Sequence, residues 1–314
     1  MVNKVKTPKR KNNLAMDTFG DKVFNVTNIT FLLVFTLVMI YPLYYTVIAS
    51  LSDITQVGLG NVILWPRGFS LEAYRQVFNH RQIWVGYRNS VIYTVLGVAY
   101  NMFLMLPISY ALSKKYMFGR SAVTFYFIFT MFFSGGMIPA YLLMVNTLGL
   151  MDSVWAMVLG GLPVFGMIIT RTYFMTAIPE ELHESAEIDG ASHLTCFLKI
   201  ALPLSKPIIA VMTLQFAVGA WNSFFGALLY LNRAEMHPLQ LVIRNIVILN
   251  QNIGINADMS LLSDEMINDL AVRARLAESM RYSTIFIASA PMLLLYPFIQ
   301  KYFAKGMLIG SLKG

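Results

Sequence analysis

With 314 residues, 57% of them hydrophobic and only 13% charged, and a mean hydropathy of +0.60, the chain is too apolar for a soluble domain of ordinary composition. Its net charge of +8 does not mark a nucleic-acid binder, because many of the basic residues cluster beside apolar runs, where anionic headgroups and membrane insertion account for them. A bilayer is the expected solvent, and an all-α membrane protein the expected fold class.

The N-terminal "KVKTPKRKNN" has the charge of a signal-peptide n-region. The apolar run behind it, 23–52, is too long for an h-region and lacks a convincing cleavage site, so it reads as an anchor that stays attached. Charge-free runs follow at 89–113, 121–151, 153–170, 207–231 and 282–300, and each supplies the roughly 20 residues that cross hydrocarbon as helix. Six spans are therefore predicted. The stretches 54–66 and 245–257 are too short and too rich in Gly, Pro, Asn or Gln to join them. Lys4, Lys6, Lys9, Lys11 and Lys22 precede the first span, and Lys114 and Lys115 follow the second. Lys199 and Lys206 follow the fourth, and Lys301, Lys305 and Lys313 the sixth, so both termini are predicted to be cytoplasmic. The outer segments carry no lysine but do carry Arg67, Arg75, Arg81, Arg88, Arg233, Arg244, Arg273, Arg275 and Arg281. The resulting division is a basic cytoplasmic segment at 1–25, a transmembrane domain at 26–304 and a cytoplasmic tail at 305–314. Within the transmembrane domain lie a cytoplasmic loop at 177–206 and an outer loop at 232–281.

Within the spans, Pro42 releases a backbone hydrogen bond that a neighbouring helix or a water-filled cavity must satisfy. Ser134, Gly135, Gly136 and Pro139 end the third span near the outer surface. In the fifth, Trp221 and Asn222 place an amphipathic ring beside an amide in an apolar run. Such a pair either packs against a neighbouring helix or, with Tyr45, lines a polar path with a stacking ring suited to carbohydrate. In the outer loop, Leu262, Met266, Leu270, Ala274 and Ala277 recur at helical spacing, predicting a docked amphipathic helix.

The chemistry that is missing narrows the function. The charge-free cores hold no proton relay, which weakens proton-coupled transport, while sodium coupling through neutral oxygens stays open. No G-x-x-x-x-G-K-[ST] loop is present, so the chain is not expected to hydrolyse ATP. No metal-ligand spacing joins His80, His183, His193 and His237, and His183 and His193 are expected at solvated positions. Cys196 reads as a small packing residue and excludes an intramolecular disulfide. Energy for uphill movement must then come from a partner.

The one compact polar stretch between apolar spans is "EELHESAEIDGASHLTCFLKIALPL", at 180–204. Acids in the first turns suit a short helix over 180–189, Gly190 ends it, 194–200 forms a second helix, and Pro203 breaks the chain before the next span. Ser185, Ala186, Ala191 and Ser192 leave room for close approach by another protein. This loop resembles the "EAA" coupling loop of ATP-binding-cassette (ABC) importer permeases. Glu184, Ser185 and Ala186 precede Gly190 by three residues, and nine more separate Gly190 from "IALP" at Ile200 to Pro203. Ser185 stands where the family usually has Ala, a replacement of similar size. "NSVIYTVLGVAYNMFLMLPISYALSKKYMFGR", "MIPAYLLMVNTLGL", "IALPLSKP" and "WNSFFGALLYL" follow the order of carbohydrate permeases of the maltose-transporter class. "YYTVIASLSD", "SGGMIPAY" and "YPFIQKYFAKGMLIGSLKG" resemble the subgroup serving complex oligosaccharides, including alginate-type importers.

The resemblance implies a heterodimer with a second permease, two ATPase subunits that bind ATP and Mg, and an extracellular substrate-binding lipoprotein that delivers an oligosaccharide. The chain itself would hold no cofactor or metal and would sit in a bacterial cytoplasmic membrane as a multi-pass subunit. Glu184, Ser185, Ala186, Asp189, Gly190, Ala191, Ile200 and Pro203 would form the ATPase-coupling surface, and the outer loop would face the binding protein. Two alternatives remain at this point: the same machinery carrying a peptide or modified sugar, and an ion-coupled secondary transporter.

Overall fold

The computed structural model describes residues 18–246, 280–295 and 297, and these are all-helical with no strand among them. The basic N-terminal residues, most of the outer loop with its predicted docked helix, and the C-terminal tail lie outside the described residues.

Helix α1 (Phe19–Ser50) opens on a capping box: the Thr18 side chain accepts from the Asp21 amide, and the Asp21 carboxylate accepts from the Thr18 amide. It runs through Pro42 as a single helix and leaves its apolar surface exposed until Ile48, Ala49 and Ser50 meet the body. So long an apolar helix, with its most hydrophobic window wholly uncovered, requires lipid or a partner helix around it. Short helices α2 (Ile54–Gly58) and α3 (Glu72–Asn79) lead to α4 (Arg81–Ser113). That helix begins eight residues before the predicted span, so Arg81 and Arg88 lie exposed in its first turns.

Helix α4 is the hub of the described bundle, and more helices follow it in the chain. They are α5 (Arg120–Phe132), α6 (Met137–Leu142) with a wide π turn at Leu143–Thr147, α7 (Val154–Val158) and α8 (Val164–Ala177). In the loop come α9 (Glu181–Ile188), α10 (His193–Cys196), a second π turn at Phe197–Ala201 and α11 (Leu202–Leu204). The chain ends its described part with α12 (Lys206–Trp221), α13 (Phe225–Tyr230), α14 (Leu239–Arg244) and α15 (Met280–Leu295). Along α4 lie α8, α12 and α14. Two glycines permit the closest crossings: a methyl at Gly86 would come within 3.1 Å of the Leu239 backbone, and one at Gly166 within 3.1 Å of the Met105 sulfur.

Three predicted spans are broken rather than continuous. The third bends by 105° between α5 and the α6 segment, at the Ser134–Gly136 turn, where Gly136 takes φ +85°. The fourth is interrupted between α7 and α8 around Gly160, Gly161 and Pro163, and α8 then continues past Arg171 to Ala177. In the fifth, α12 stops at Trp221 and α13 resumes at Phe225, leaving Asn222, Ser223 and Phe224 between them. Hydropathy sums cannot register such breaks, because Gly, Ser and Pro barely change the mean. Among the described residues, two helices, α1 and α4, are long and apolar enough to cross a bilayer unaided, and two bent pairs pass the same test together.

Candidate functional site

The polar loop folds as helix, glycine turn, helix. Helix α9 puts Glu184, Ser185 and Ile188 on its exposed face and turns His183 and Ala186 inward. Asp189, also exposed, closes the helix, and Gly190 takes φ +79°, a conformation that costs a residue with a Cβ about 1–2 kcal/mol. The turn is tied by the Ala191 amide donating to the Ala186 carbonyl at 2.8 Å, and Ser192 caps the next helix by accepting from the Thr195 amide. Ala191 is half-buried behind the turn. On either side of it, Ile188 is 86% exposed and Leu194 65% exposed, two large apolar groups at the tip of a polar loop.

The two short helices match the predicted ones, but the break before the next span does not fall at Pro203. Pro203 sits in the first turn of α11, where its missing N–H is not needed, and the π turn before it supplies the extra room. The chain turns instead at Ser205, giving a 79° bend into α12. Ile200 is half-buried within the π turn and Pro203 is exposed.

An aromatic anchor fixes the loop to the bundle. His183, at 7% exposure, lies with its Nδ1 3.5 Å from the Tyr110 hydroxyl of α4. The Tyr110 ring packs on Phe197 at 5.0 Å and edge-on to Phe174 of α8 at 5.7 Å, and Ile178 and Ala201 complete the cluster. The solvated position expected for His183 is thus corrected: its place on the inner face of α9, three residues after Glu180, buries it. Burial, reinforced by the positive Lys114 nearby, holds its pKa below the ordinary value. His193 is exposed as expected, stacking on Tyr116 at 5.5 Å and lying 3.5 Å from the Glu187 carboxylate. Lys115 donates to Glu180 at 2.6 Å, which lowers the Glu180 pKa and raises that of Lys115. Cys196 is buried, a packing residue as read. The 114–116 turn after α4 therefore grips the loop at two places, Glu180 and His193. Charge counting along the chain had no way to pair these segments.

The three residues expected on a polar path fall in different surroundings. Trp221 is 3% exposed, donates its indole N–H to the Ala288 carbonyl at 3.0 Å and meets Tyr87 edge-on at 5.4 Å. Its ring is core, sealed by Ile83, Leu239, Val242 and Met280, so the packing alternative describes it and the stacking-ring expectation is corrected. Asn222, one residue on, is exposed, with its amide oxygen 3.5 Å from Gln240 Nε2. Tyr45 is half-buried, edge-on to Tyr282 at 5.7 Å.

Beside this core, α4, α12 and the two helix breaks border an open cavity of about 560 Å³ lined by Asn101, Val158, Gly160, Gln215, Phe216 and Ser223 among others. Nearby, side chains of α4 clamp the 235–239 segment. Asn89 donates to the carbonyls of Glu235 and His237, the Tyr93 hydroxyl donates to that of Met236, and the Leu239 amide donates to Ser90. Asp152, just before α7, holds the chain leading into that segment by accepting from the amides of Asn232 and Arg233.

A bundle of broken apolar helices, with a rigidly anchored polar elbow feeding straight into one of them, defines an integral membrane permease. The chain belongs to the family described as the binding-protein-dependent transport system inner membrane component, whose model matches residues 83–309. It is 41% identical over 295 residues to the polygalacturonan/rhamnogalacturonan transport system permease protein YtcP of Bacillus subtilis, covering 94% of this chain and 99% of that one. Protein LplC of the same organism is 40% identical over 299 residues, covering 95% and 97%. Among solved structures, a chain from a bacterial ABC transporter involved in import of the acidic polysaccharide alginate is 32% identical with a TM-score of 0.79, covering 91% of this chain and 98% of that one.

Proposed function

We propose that this chain is one permease subunit of an ABC importer in a bacterial cytoplasmic membrane, forming half of the path for an oligosaccharide. Six spans, both termini cytoplasmic, pair with those of a second permease. Two separate ATPase subunits bind ATP and Mg, and an extracellular binding lipoprotein delivers the sugar to the outer loop.

The observation that carries the coupling role is the pairing of an exposed apolar tip, Ile188 and Leu194 around Gly190, with a base locked to α4 and α8 through His183, Tyr110, Phe174 and Phe197. An isolated apolar knob on a polar loop finds burial in a partner's cleft. With Glu184, Ser185, Ala186 and Asp189 around it, the tip seats in an ATPase subunit. Movement of that subunit is passed through the bend at Ser205 directly into α12, since no flexible linker intervenes. Closure of the ATPases opens the path outward; relaxation opens it inward.

An acidic oligosaccharide is the substrate class best supported. One relative is named for polygalacturonan and the structural neighbour for alginate, and the outer segments of this chain carry arginine without lysine. Guanidinium forks suit carboxylates bidentately. The reading is tested in the purified, reconstituted complex. Glu184→Lys and Gly190→Asp should each abolish stimulation of ATP hydrolysis by the loaded binding protein while the chain still inserts; unaltered stimulation in both would remove the coupling assignment.

A further inference from the structure

The two helix breaks face one cavity, and its otherwise largely apolar lining carries the polar side chains of Asn101, Gln215 and Ser223. Within an apolar span, the middle of α12 and the residue after it expose Gln215, Gly219 and Asn222, spaced four and three apart and so on one face. Across from Gln215 and Gly219, Asn101 projects from α4 into the same space of about 560 Å³, which falls within the range of roughly 300–1,000 Å³ typical of small-molecule sites. The side-chain amides of Asn101 and Gln215 have no hydrogen-bond partner among the described residues. Ser223 lies in the break between α12 and α13 and Gly160 in the break between α7 and α8, so both interruptions of the helical ladder open on the cavity. Non-helical backbone at membrane depth is tolerated where it lines a wet cavity, and broken helices converging on one point are how transporters present backbone dipoles to a substrate. Phe216 adds a ring to the lining, and no charged group borders it.

We infer that this chain contributes a sugar-hydroxyl subsite to the path. The amides of Asn101 and Gln215, the Ser223 hydroxyl and the backbone opened at Gly160 exchange hydrogen bonds with sugar hydroxyls as a residue of the oligosaccharide passes, while Phe216 meets a C–H face. Gly219 keeps the passage open. The subsite replaces Trp221 as the part of the fifth span that meets substrate, and it rests on the permease reading above. Its neutrality divides the labour: carboxylates, where present, are read by the outer arginines, and hydroxyls are read here.

Gly219 supplies the cleanest test, because a methyl built on it meets nothing within 4 Å and Gly to Ala strengthens a helix. In proteoliposomes holding the whole importer, with a labelled galacturonate oligosaccharide on the binding protein, Gly219→Leu and the double variant Asn101→Leu/Gln215→Leu should each lower sugar moved per ATP hydrolysed at least tenfold. Glu184→Lys, run alongside, loses stimulated hydrolysis itself, so a failure of the coupling reading is seen separately from a failure of the subsite. As a second measurement, Gln215→Cys in the assembled importer should react with a small hydrophilic maleimide and be protected by the oligosaccharide. Transport per ATP within twofold of wild type in both sets overturns the subsite. So does a Gln215→Cys that is unreactive in the complex, since the second permease would then fill the space.

Discussion

Truncating Ile188 separates an interface role from a folding role. The side chain is 86% exposed, so Ile188→Ala removes three carbons that contribute almost nothing to the bundle's own packing, and the subunit's thermal midpoint should not move. If the tip is buried in an ATPase cleft, those carbons go from water to a protein interior. At about 0.8 kcal/mol per methylene, scaled for the fraction now exposed, the loss is about 2 kcal/mol. That corresponds to roughly a 30-fold weaker association of the ATPase with the permease. The assay is titration of purified ATPase onto the permease in nanodiscs, with differential scanning fluorimetry of the permease alone as the control. An affinity within twofold of wild type refutes the docking of this tip. A fall in the permease's own melting temperature would place Ile188 in the fold instead.

Further outcomes follow from the same geometry. Gly190→Ala should weaken ATPase association about 5–30-fold, from the roughly 1–2 kcal/mol that φ +79° costs an alanine. Gly190→Asn, which tolerates that conformation better, should lose less in the same titration; the reverse order would point to crowding by the ATPase rather than backbone strain. Trp221→Ala should cost about 3–5 kcal/mol of stability, read as a lower midpoint in detergent, whereas Asn222→Ala should stay within about 0.5 kcal/mol. With the His183 pKa held below its ordinary 6.5, the unfolded chain binds more protons than the folded one over the interval beneath 6.5. The stability that neutral His183 contributes is therefore complete above pH 6.5 and declines as pH falls. His183→Phe should flatten the fall in midpoint between pH 7.5 and 5.5.

Much of this was written in residue spacing. The apolar runs located the helices, and the Gly190 turn with its flanking short helices was legible because acids, a glycine and a Ser cap each act locally. What spacing could not carry is long-range. His183 reads as a surface residue until Tyr110, 73 positions away, is brought against it. Trp221 beside Asn222 suggested one polar pair, yet adjacent residues on a helix face different directions, and the ring turned inward while the amide stayed out. The true polar face had a sequence signal, Gln215, Gly219 and Asn222 at helical spacing, but only the placement of Asn101 and the two breaks around one cavity gave it meaning. Pro203 misled as a terminator because proline is well tolerated in a first helical turn.

We propose that this chain is a passive half-path energised through its polar loop. Mild-detergent purification of the tagged chain from its native membrane, followed by a glycan screen on the accompanying binding protein, tests that most directly. A second permease, an ATPase and a lipoprotein that retains uronate-containing oligosaccharides should co-purify with it. A chain that transports sugar when reconstituted alone, with no ATPase retained, would contradict it.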